Sequence, residues 1–323
     1  MNPFISICIP AYKNAAYLDV LLHSIELQGF SDYEVIVSDD SPNDEVEILC
    51  RKYSSKFLMI YHKNSPPKGS PANWNTGIKM ANGKWIKLMH DDDWFSSDTS
   101  LADFAKAAQE NAHSLLIFSG YSLYEDGVFK SNNIITALIE NQLRRSPLIL
   151  FKKNYIGHPS TTLIKNEPME WYDEKVKWVV DFEFYIRMLK NGSFHSIQLP
   201  LVNIGIGNEQ ITKEAFRNIS IEIPENMYLL NKLGTPVLKN IIVYDYYWRL
   251  LRNVGIRSLK DITDHYSERE VPPEISRMLR FQLLFPLPVL KVGFFSKLLM
   301  SGSYLYNFFA GKHMLIKLWI LVK

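Results

Sequence analysis

The chain has little cysteine, no long apolar run, no glycine-rich phosphate loop and, over its last stretch, no negative charge. Only Cys8 and Cys50 occur in 323 residues. Two cysteines exclude a disulfide scaffold and fit a reducing compartment, so both are read as inert packing residues. Lysines and prolines interrupt every apolar run before it reaches the ~20 residues that cross a bilayer. Neither GxGxxG nor GxxxxGKS/T is present, which removes the two common backbone cradles for a dinucleotide or a nucleoside triphosphate. Met1-Asn2-Pro3 leads straight into a strand without a basic leader or cleavage site, and the expectation is a cytoplasmic protein.

The missing acids set the charge pattern. After Glu274 there is no Asp or Glu, while Arg277, Arg280, Lys291, Lys297, Lys312, Lys317 and Lys323 contribute seven positive charges. With a net charge of +2, residues 1–274 therefore carry −5. An acidic body with an apolar tail is a poor match for a nucleic-acid backbone, so nucleic acid is excluded as a partner. An apolar, aromatic and purely basic tail suits an anionic membrane interface, and attachment at the inner face of the cell membrane is expected. The rival is a helical subdomain that packs on the rest of the chain or dimerises.

What is present reads as alternating strands and helices. Phe4–Ile9 is a continuous apolar run, as in a strand covered on both faces, and Pro10 is expected to end it. Tyr17, Leu18, Leu21, Leu22 and Ile25 share one helical face, and Gly29 supplies a stop. Tyr33–Ser38 is a second strand, Asp44–Tyr53 a helix, Phe57–His62 a third strand, Ser65–Pro71 a loop, and Ala72–Asn82 a helix before the strand from Trp85. That β-α-β-α-β-α-β order predicts an α/β fold with a mostly parallel sheet flanked by helices, and ligands collect at the carboxyl ends of such strands.

Those ends read Pro10-Ala11-Tyr12, Asp39-Asp40 and His90-Asp91-Asp92-Asp93. Adjacent carboxylates repel one another and either take up protons or bind a cation. Mg²⁺ or Mn²⁺ wants oxygen ligands and commonly joins one or two carboxylates to substrate phosphates. With no phosphate loop, a nucleotide diphosphate held through such a metal fits better than NAD or ATP. The plain alternative is a solvated acidic turn or a helix cap before Trp94.

Four separated stretches, Ser6–Tyr12, Glu34–Ser41, Ala81–Ile86 and Asp92-Asp93, resemble the family 2 glycosyltransferases in order and spacing. The resemblance covers about residues 4–210. It implies a GT-A (Rossmann-like) fold and inverting transfer from a nucleotide sugar, here read as UDP-linked. The implied acceptor is a glycan or lipid-linked saccharide in surface-polysaccharide assembly of the O-antigen or capsule type. Residue by residue, it implies that Pro10, Ala11 and Tyr12 border the base, that Asp40 hydrogen-bonds it and that Asp39 supports the turn. Asp92 would lie near the ribose, and Asp93 would be the principal metal contact. Many members have Asp-x-Asp-Asp where this chain has His-Asp-Asp-Asp. Asp91 is therefore taken as an additional metal candidate, and His90 as either a ligand or a hydrogen-bonded structural residue. Asn75 is a candidate donor contact or a helix cap with Trp74 packing beside it.

Beyond Ser96, a helix and the strand Ser114–Ser119 precede Gly120–Leu143, read as an irregular acceptor-side loop. Gly157–Ile164 resembles the family's segment beneath the donor, and His158 either approaches substrate or satisfies a loop carbonyl. In Val179–Gly192, Phe182, Tyr185, Ile186 and Leu189 share a helical face with Asp181 at the helix start. The resemblance implies that Asp181 is the catalytic base, with Val180 in place of the family's first acid. Glu183 is its rival, and a plain N-cap is the structural alternative. The expected division is residues 1–212 as catalytic domain (1–95 nucleotide-sugar binding, 96–212 acceptor side and base) and 213–323 as a helical annex. Two other readings stay open: a non-catalytic, membrane-docked sugar-nucleotide-binding subunit, and a nucleotidyltransferase.

Overall fold

The computed structural model describes residues 2–207 and 216–309, and the chain divides into two compact units, residues 1–210 and 211–323. The segment Asn208–Thr212, the expected boundary at 212 and the apolar run Leu315–Val322 lie outside the described residues.

In the first unit, β1 (Ile5–Ala11), β2 (Tyr33–Asp39), β3 (Met59–Lys63) and β4 (Trp85–Leu88) pair in parallel in the order 3-2-1-4. Helices α1 (Ala15–Glu26), α2 (Glu45–Tyr53) and α3 (Ala72–Lys79) make the crossovers. Every residue of β1 but Pro10 is fully buried, as the apolar run predicts. The sheet continues through β8 (Thr162–Lys165), β6 (Leu116–Glu125), β9 (Phe194–Ile206) and β5 (Trp94–Phe95), with β7 (Val128–Asn133) on β6. In this half β6 and β9 run parallel and the other pairs antiparallel. The first four strands are thus wholly parallel, and the rest of the sheet is mixed. Helices α4 (Ser100–Glu110), α5 (Ala137–Arg145) and α6 (Val180–Asn191) complete the unit.

Pro10 does not end β1. The strand stays paired with β2 as far as Ala11↔Asp39, but its pairing with β4 stops at Cys8↔Leu88. The Cys8 carbonyl accepts from Met89 and the Ala11 carbonyl from Asp40, so the alternation points the nitrogen of Pro10 toward β4. A nitrogen without a proton cannot extend that ladder. The crevice between β1 and β4, where strand order reverses, therefore opens at Pro10.

The Ala81–Ile86 stretch is explained by packing. Glu34 is buried and accepts from the Ser6 hydroxyl at 2.6 Å and the Asn82 amide at 2.7 Å, and Ser6 Oγ accepts from the Gly83 amide at 2.8 Å. A Cβ on Gly83 would lie 2.5 Å from the Ser6 nitrogen. Gly83→Ala is expected to cost about 1–3 kcal/mol by overpacking, read as a lower midpoint in a denaturant melt.

The Gly120–Leu143 stretch is not irregular. β6 runs through Gly120 to Glu125, turns at Asp126-Gly127 and returns as β7, and α5 starts at Ala137. Gly120 lies inside the strand at a close approach: a Cβ there would lie 2.8 Å from Ile134 and 3.0 Å from the Asn133 carbonyl.

The second unit is helical: α7 (Ile219–Leu233), α8 (Ile241–Asn253), α9 (Leu259–Thr263), α10 (Pro273–Leu283), α11 (Leu287–Lys291) and α12 (Gly293–Phe308). Tyr244, Tyr247 and Trp248 of α8 are fully buried. Trp248 Nε1 donates to Ser296 Oγ at 3.0 Å, and the Tyr244 and Ser303 hydroxyls pair at 2.7 Å, fixing one face of α12. Phe294, Phe295, Leu298 and Leu305 of α12 are exposed. No helix among the described residues is long and apolar enough to cross a membrane.

Candidate active site

The acidic stretch is a tight turn. The Met89 amide still bonds the Cys8 carbonyl, and the Asp93 amide then donates back to the His90 carbonyl at 3.1 Å before β5 begins at Trp94. An i to i+3 turn sets its first and last side chains together. Ligand atoms of His90, Asp92 and Asp93 accordingly lie within 4.8 Å of one another. Asp91, at the second turn position, is not in that group. Its Oδ2 accepts from the Tyr12 amide at 3.3 Å, across the β1–β4 crevice.

Asp93 is buried and held from two sides: the Gly205 amide donates to its Oδ1 at 3.2 Å, and the Ser160 hydroxyl bonds it as well. Burial and then the charge of Asp92 keep its carboxyl well above the usual range. Burial and then Asp92 also push Asp91 up to about 7. Clustered carboxylates that burial and mutual repulsion disfavour as anions gain from a divalent cation between them, and the convergence of His90, Asp92 and Asp93 fits one.

Ser160 organises the surroundings. Its hydroxyl accepts from the His90 amide at 2.9 Å, and its carbonyl accepts from the ammonium of Lys87, which is fully buried in β4. Burial takes the Lys87 ammonium down to about 7, against the opposing pull of Asp93. Gly205 comes equally close: a Cβ there would lie 2.4 Å from the Asp92 carbonyl. Neither residue was singled out from the sequence. A glycine inside the strand that follows Asn203-Ile204 was the available signal for Gly205, and Ser160 lay within the Gly157–Ile164 segment.

The nucleotide-side candidates divide. Asp39 is fully buried and spent on structure: Oδ1 accepts from the Ser41 amide at 2.7 Å, and Oδ2 from the Tyr61 hydroxyl at 2.7 Å and Lys63 Nζ at 3.0 Å. Asp40 holds the loop after β3, accepting from Asn64 Nδ2 at 2.8 Å, the Lys68 amide at 3.1 Å and the Gly69 amide at 2.7 Å. Tyr12 is half exposed at the crevice mouth. Asn75 is committed elsewhere. Its Nδ2 donates to the Tyr172 carbonyl at 2.8 Å and to Glu174 at 3.0 Å, while its Oδ1 accepts from the Tyr172 amide at 3.1 Å. With both donor hydrogens used, Asn75 ties α3 to the 172–174 segment. It is not a helix cap, because Pro71 occupies that position.

Asp181 is the second residue of α6, not its N-cap, which is Val179. Its Oδ1 is buried without a hydrogen-bond partner, and burial pushes the carboxyl up to about 7. Its charge bears on the buried hydroxyls of Tyr172 and Tyr185. Tyr172 packs edge-on to Trp74 at 5.1 Å, and Trp74 lies 4.7 Å from the His90 ring. This aromatic chain links the Asp181 end of the site to the acidic turn. His158, facing Tyr121 at 5.5 Å, has its imidazole taken down to about 4 by burial and then by His90.

Glu183 is differently placed. Arg187 grips it with two hydrogen bonds, Nε to Oε1 at 2.7 Å and Nη2 to Oε2 at 2.9 Å, and the same guanidinium donates to the Trp171 carbonyl at 2.7 Å. Both of its carboxylate oxygens are thus taken up by Arg187. Glu183→Gln is expected to cost about 3 kcal/mol of stability by breaking a buried pair, with turnover retained; a thermal melt and a turnover assay check both halves.

Residues 6–170, just over half of the chain, match the family model of Glycosyl transferase family 2, and the chain belongs to that family. It is 24% identical over 225 residues to an uncharacterized glycosyltransferase of Rickettsia prowazekii, spanning 68% of this chain and 69% of that protein. Among solved structures, Staphylococcus aureus TarS 1–349 in complex with UDP-GlcNAc matches with a TM-score of 0.59 at 16% identity, covering 95% of this chain and 89% of that one. The mannosyltransferase PcManGT from Pyrobaculum calidifontis, in complex with GDP-Man and Mn²⁺, matches with a TM-score of 0.56 at 12% identity, covering 96% and 88%. The protein is a glycosyltransferase with the GT-A fold and a helical C-terminal region.

Proposed function

We propose that this protein transfers a sugar, with inversion, from a UDP-linked donor to a glycan or lipid-linked saccharide in the assembly of a cell-surface polysaccharide. The observation that carries the reading is the contrast between two neighbouring acids: Oδ1 of the half-buried Asp181 is buried and unpartnered, whereas Glu183 is paired with Arg187. Inversion needs one base to take the acceptor hydroxyl's proton as that oxygen attacks the anomeric carbon from the side opposite the leaving diphosphate. A carboxyl whose pKa lies near 7 is suited to that task. Asp93, with Asp92 beside it, would hold Mg²⁺ or Mn²⁺, which when bound stabilises the negative charge of the departing diphosphate. Pro10, Ala11 and Tyr12 border the crevice where the base would lie. Asp40 would read the base through the loop it holds or by releasing that loop. A UDP donor is supported by the TarS complex with UDP-GlcNAc, and the GDP-Man complex makes GDP the alternative base.

The second unit would place the enzyme on the inner face of the membrane, where lipid-linked acceptors reside. Exposed Phe294, Phe295 and Leu298, with Lys291 nearby and no acid between 275 and 309, support that placement. The test is to incubate the protein and Mn²⁺ with labelled UDP-GlcNAc, UDP-glucose, UDP-galactose and GDP-mannose and a panel of lipid-linked saccharides, and to read product anomeric configuration by NMR. An inverted product from one UDP-sugar is expected. Retention of configuration, or no transfer with any donor, overturns the reading.

A further inference from the structure

We propose that His90 is a direct ligand of the divalent metal and that it biases the site toward Mn²⁺ over Mg²⁺. This rests on the metal-binding reading of the acidic turn. Three independent observations carry it. First, the turn geometry sets His90 at its first position and Asp93 at its fourth, with a ligand atom of His90 within 4.8 Å of those of Asp92 and Asp93. Second, His90 Nε2 is buried and has no hydrogen-bond partner. A buried ring nitrogen left unpaired costs free energy, and a bound ion is one of the partners that satisfies such a group. Third, the ring is fixed from outside: Ser160 holds the His90 amide, and Trp74 packs on the imidazole at 4.7 Å with a 46° tilt. A histidine whose only role was structural would spend its ring nitrogen on a carbonyl or a hydroxyl.

At position 90 an imidazole stands beside the carboxylates of Asp92 and Asp93. Replacing a carboxylate by an imidazole changes the donor set from all oxygen to mixed nitrogen and oxygen. Mg²⁺ demands oxygen ligands and keeps its waters, whereas imidazole suits the transition metals. Asp91, which the sequence offered as the second metal residue, faces the Tyr12 amide instead. The inferred set is therefore His90, Asp92 and Asp93, with the donor's phosphates completing the coordination.

Pulsed electron paramagnetic resonance of the Mn²⁺–UDP-loaded full-length protein tests this without recourse to activity. The wild type is expected to show nitrogen modulation from a directly bound imidazole, and growth on ¹⁵N-histidine should change that modulation to the ¹⁵N pattern. His90→Asp, which restores a carboxylate, is expected to keep Mn²⁺ bound and lose the modulation. Its preference for Mn²⁺ over Mg²⁺, read by competition, should fall by about tenfold. His90→Gln serves as a second variant if the aspartate does not fold. Mn²⁺ bound without histidine modulation in the wild type, or modulation that survives in both variants and so points to His158, overturns the assignment of His90 and leaves the metal reading standing. Failure of the wild type to bind Mn²⁺ at all in the presence of UDP overturns both.

Discussion

Asp181→Asn is expected to lower transfer by about 10²- to 10⁴-fold, the usual contribution of a positioned general base, while leaving donor affinity unchanged. The amide is isosteric and cannot accept the acceptor's proton, so the loss should fall on kcat and kcat/KM together. In the wild type, kcat/KM should fall as pH drops through about 7, because the buried carboxyl takes up a proton there. The same substitution has a stability signature of predictable sign. The folded-state pKa of Asp181 is raised above its unfolded value, so between the two the folded state binds more protons and stability falls as pH rises. Above about 7 the wild type bears the full cost of a buried charge that the amide lacks. Asp181→Asn should therefore melt higher than wild type at pH 8, with a gain that shrinks progressively toward pH 4. A variant that loses activity and also melts lower at pH 8 would mean that Asp181 is a structural residue.

Asp93→Asn is expected to reduce transfer by about 10³-fold, since metal stabilisation of a leaving diphosphate is worth several kcal/mol, and to abolish the response of the residual rate to Mn²⁺. The fold holds Asp93 in place, with Gly205 on one oxygen and Ser160 and Lys87 close by. Asp91→Asn is the matched control. Its carboxylate faces the Tyr12 amide, so the variant should keep its Mn²⁺ response. Metal titration of donor turnover in both variants separates the two roles, and equal loss in both would contradict the division of labour among the three acids.

Much of the first half of the fold was legible in the sequence because strands and helices leave different periods. β1 to β4 and their crossovers followed from apolar runs and turn residues, and the acidic end of β4 marked the candidate site. What could not be read depends on contacts between distant segments. Ser160 reaches His90 across 70 residues, and Gly205 reaches Asp93 across 112, through sheet register that no local pattern encodes. Asn75 was a candidate donor contact or helix cap, and the fold brings Tyr172 to its side-chain amide from 97 residues away. Two features were legible and passed over. Asp126-Gly127, both with positive φ, is a hairpin turn of the commonest two-residue kind. Glu183 and Arg187 stand four apart on one helix, the spacing of an ion pair.

We propose that the crevice between β1 and β4 binds a nucleotide diphosphate through a divalent metal held by the acidic turn. Calorimetric titration of UDP, GDP and dTDP into the wild type, with and without Mn²⁺, tests it most directly. Saturable binding of UDP that requires Mn²⁺ and is lost in Asp93→Ala is expected. Absence of binding by any of the three nucleotides, with or without metal, would contradict it.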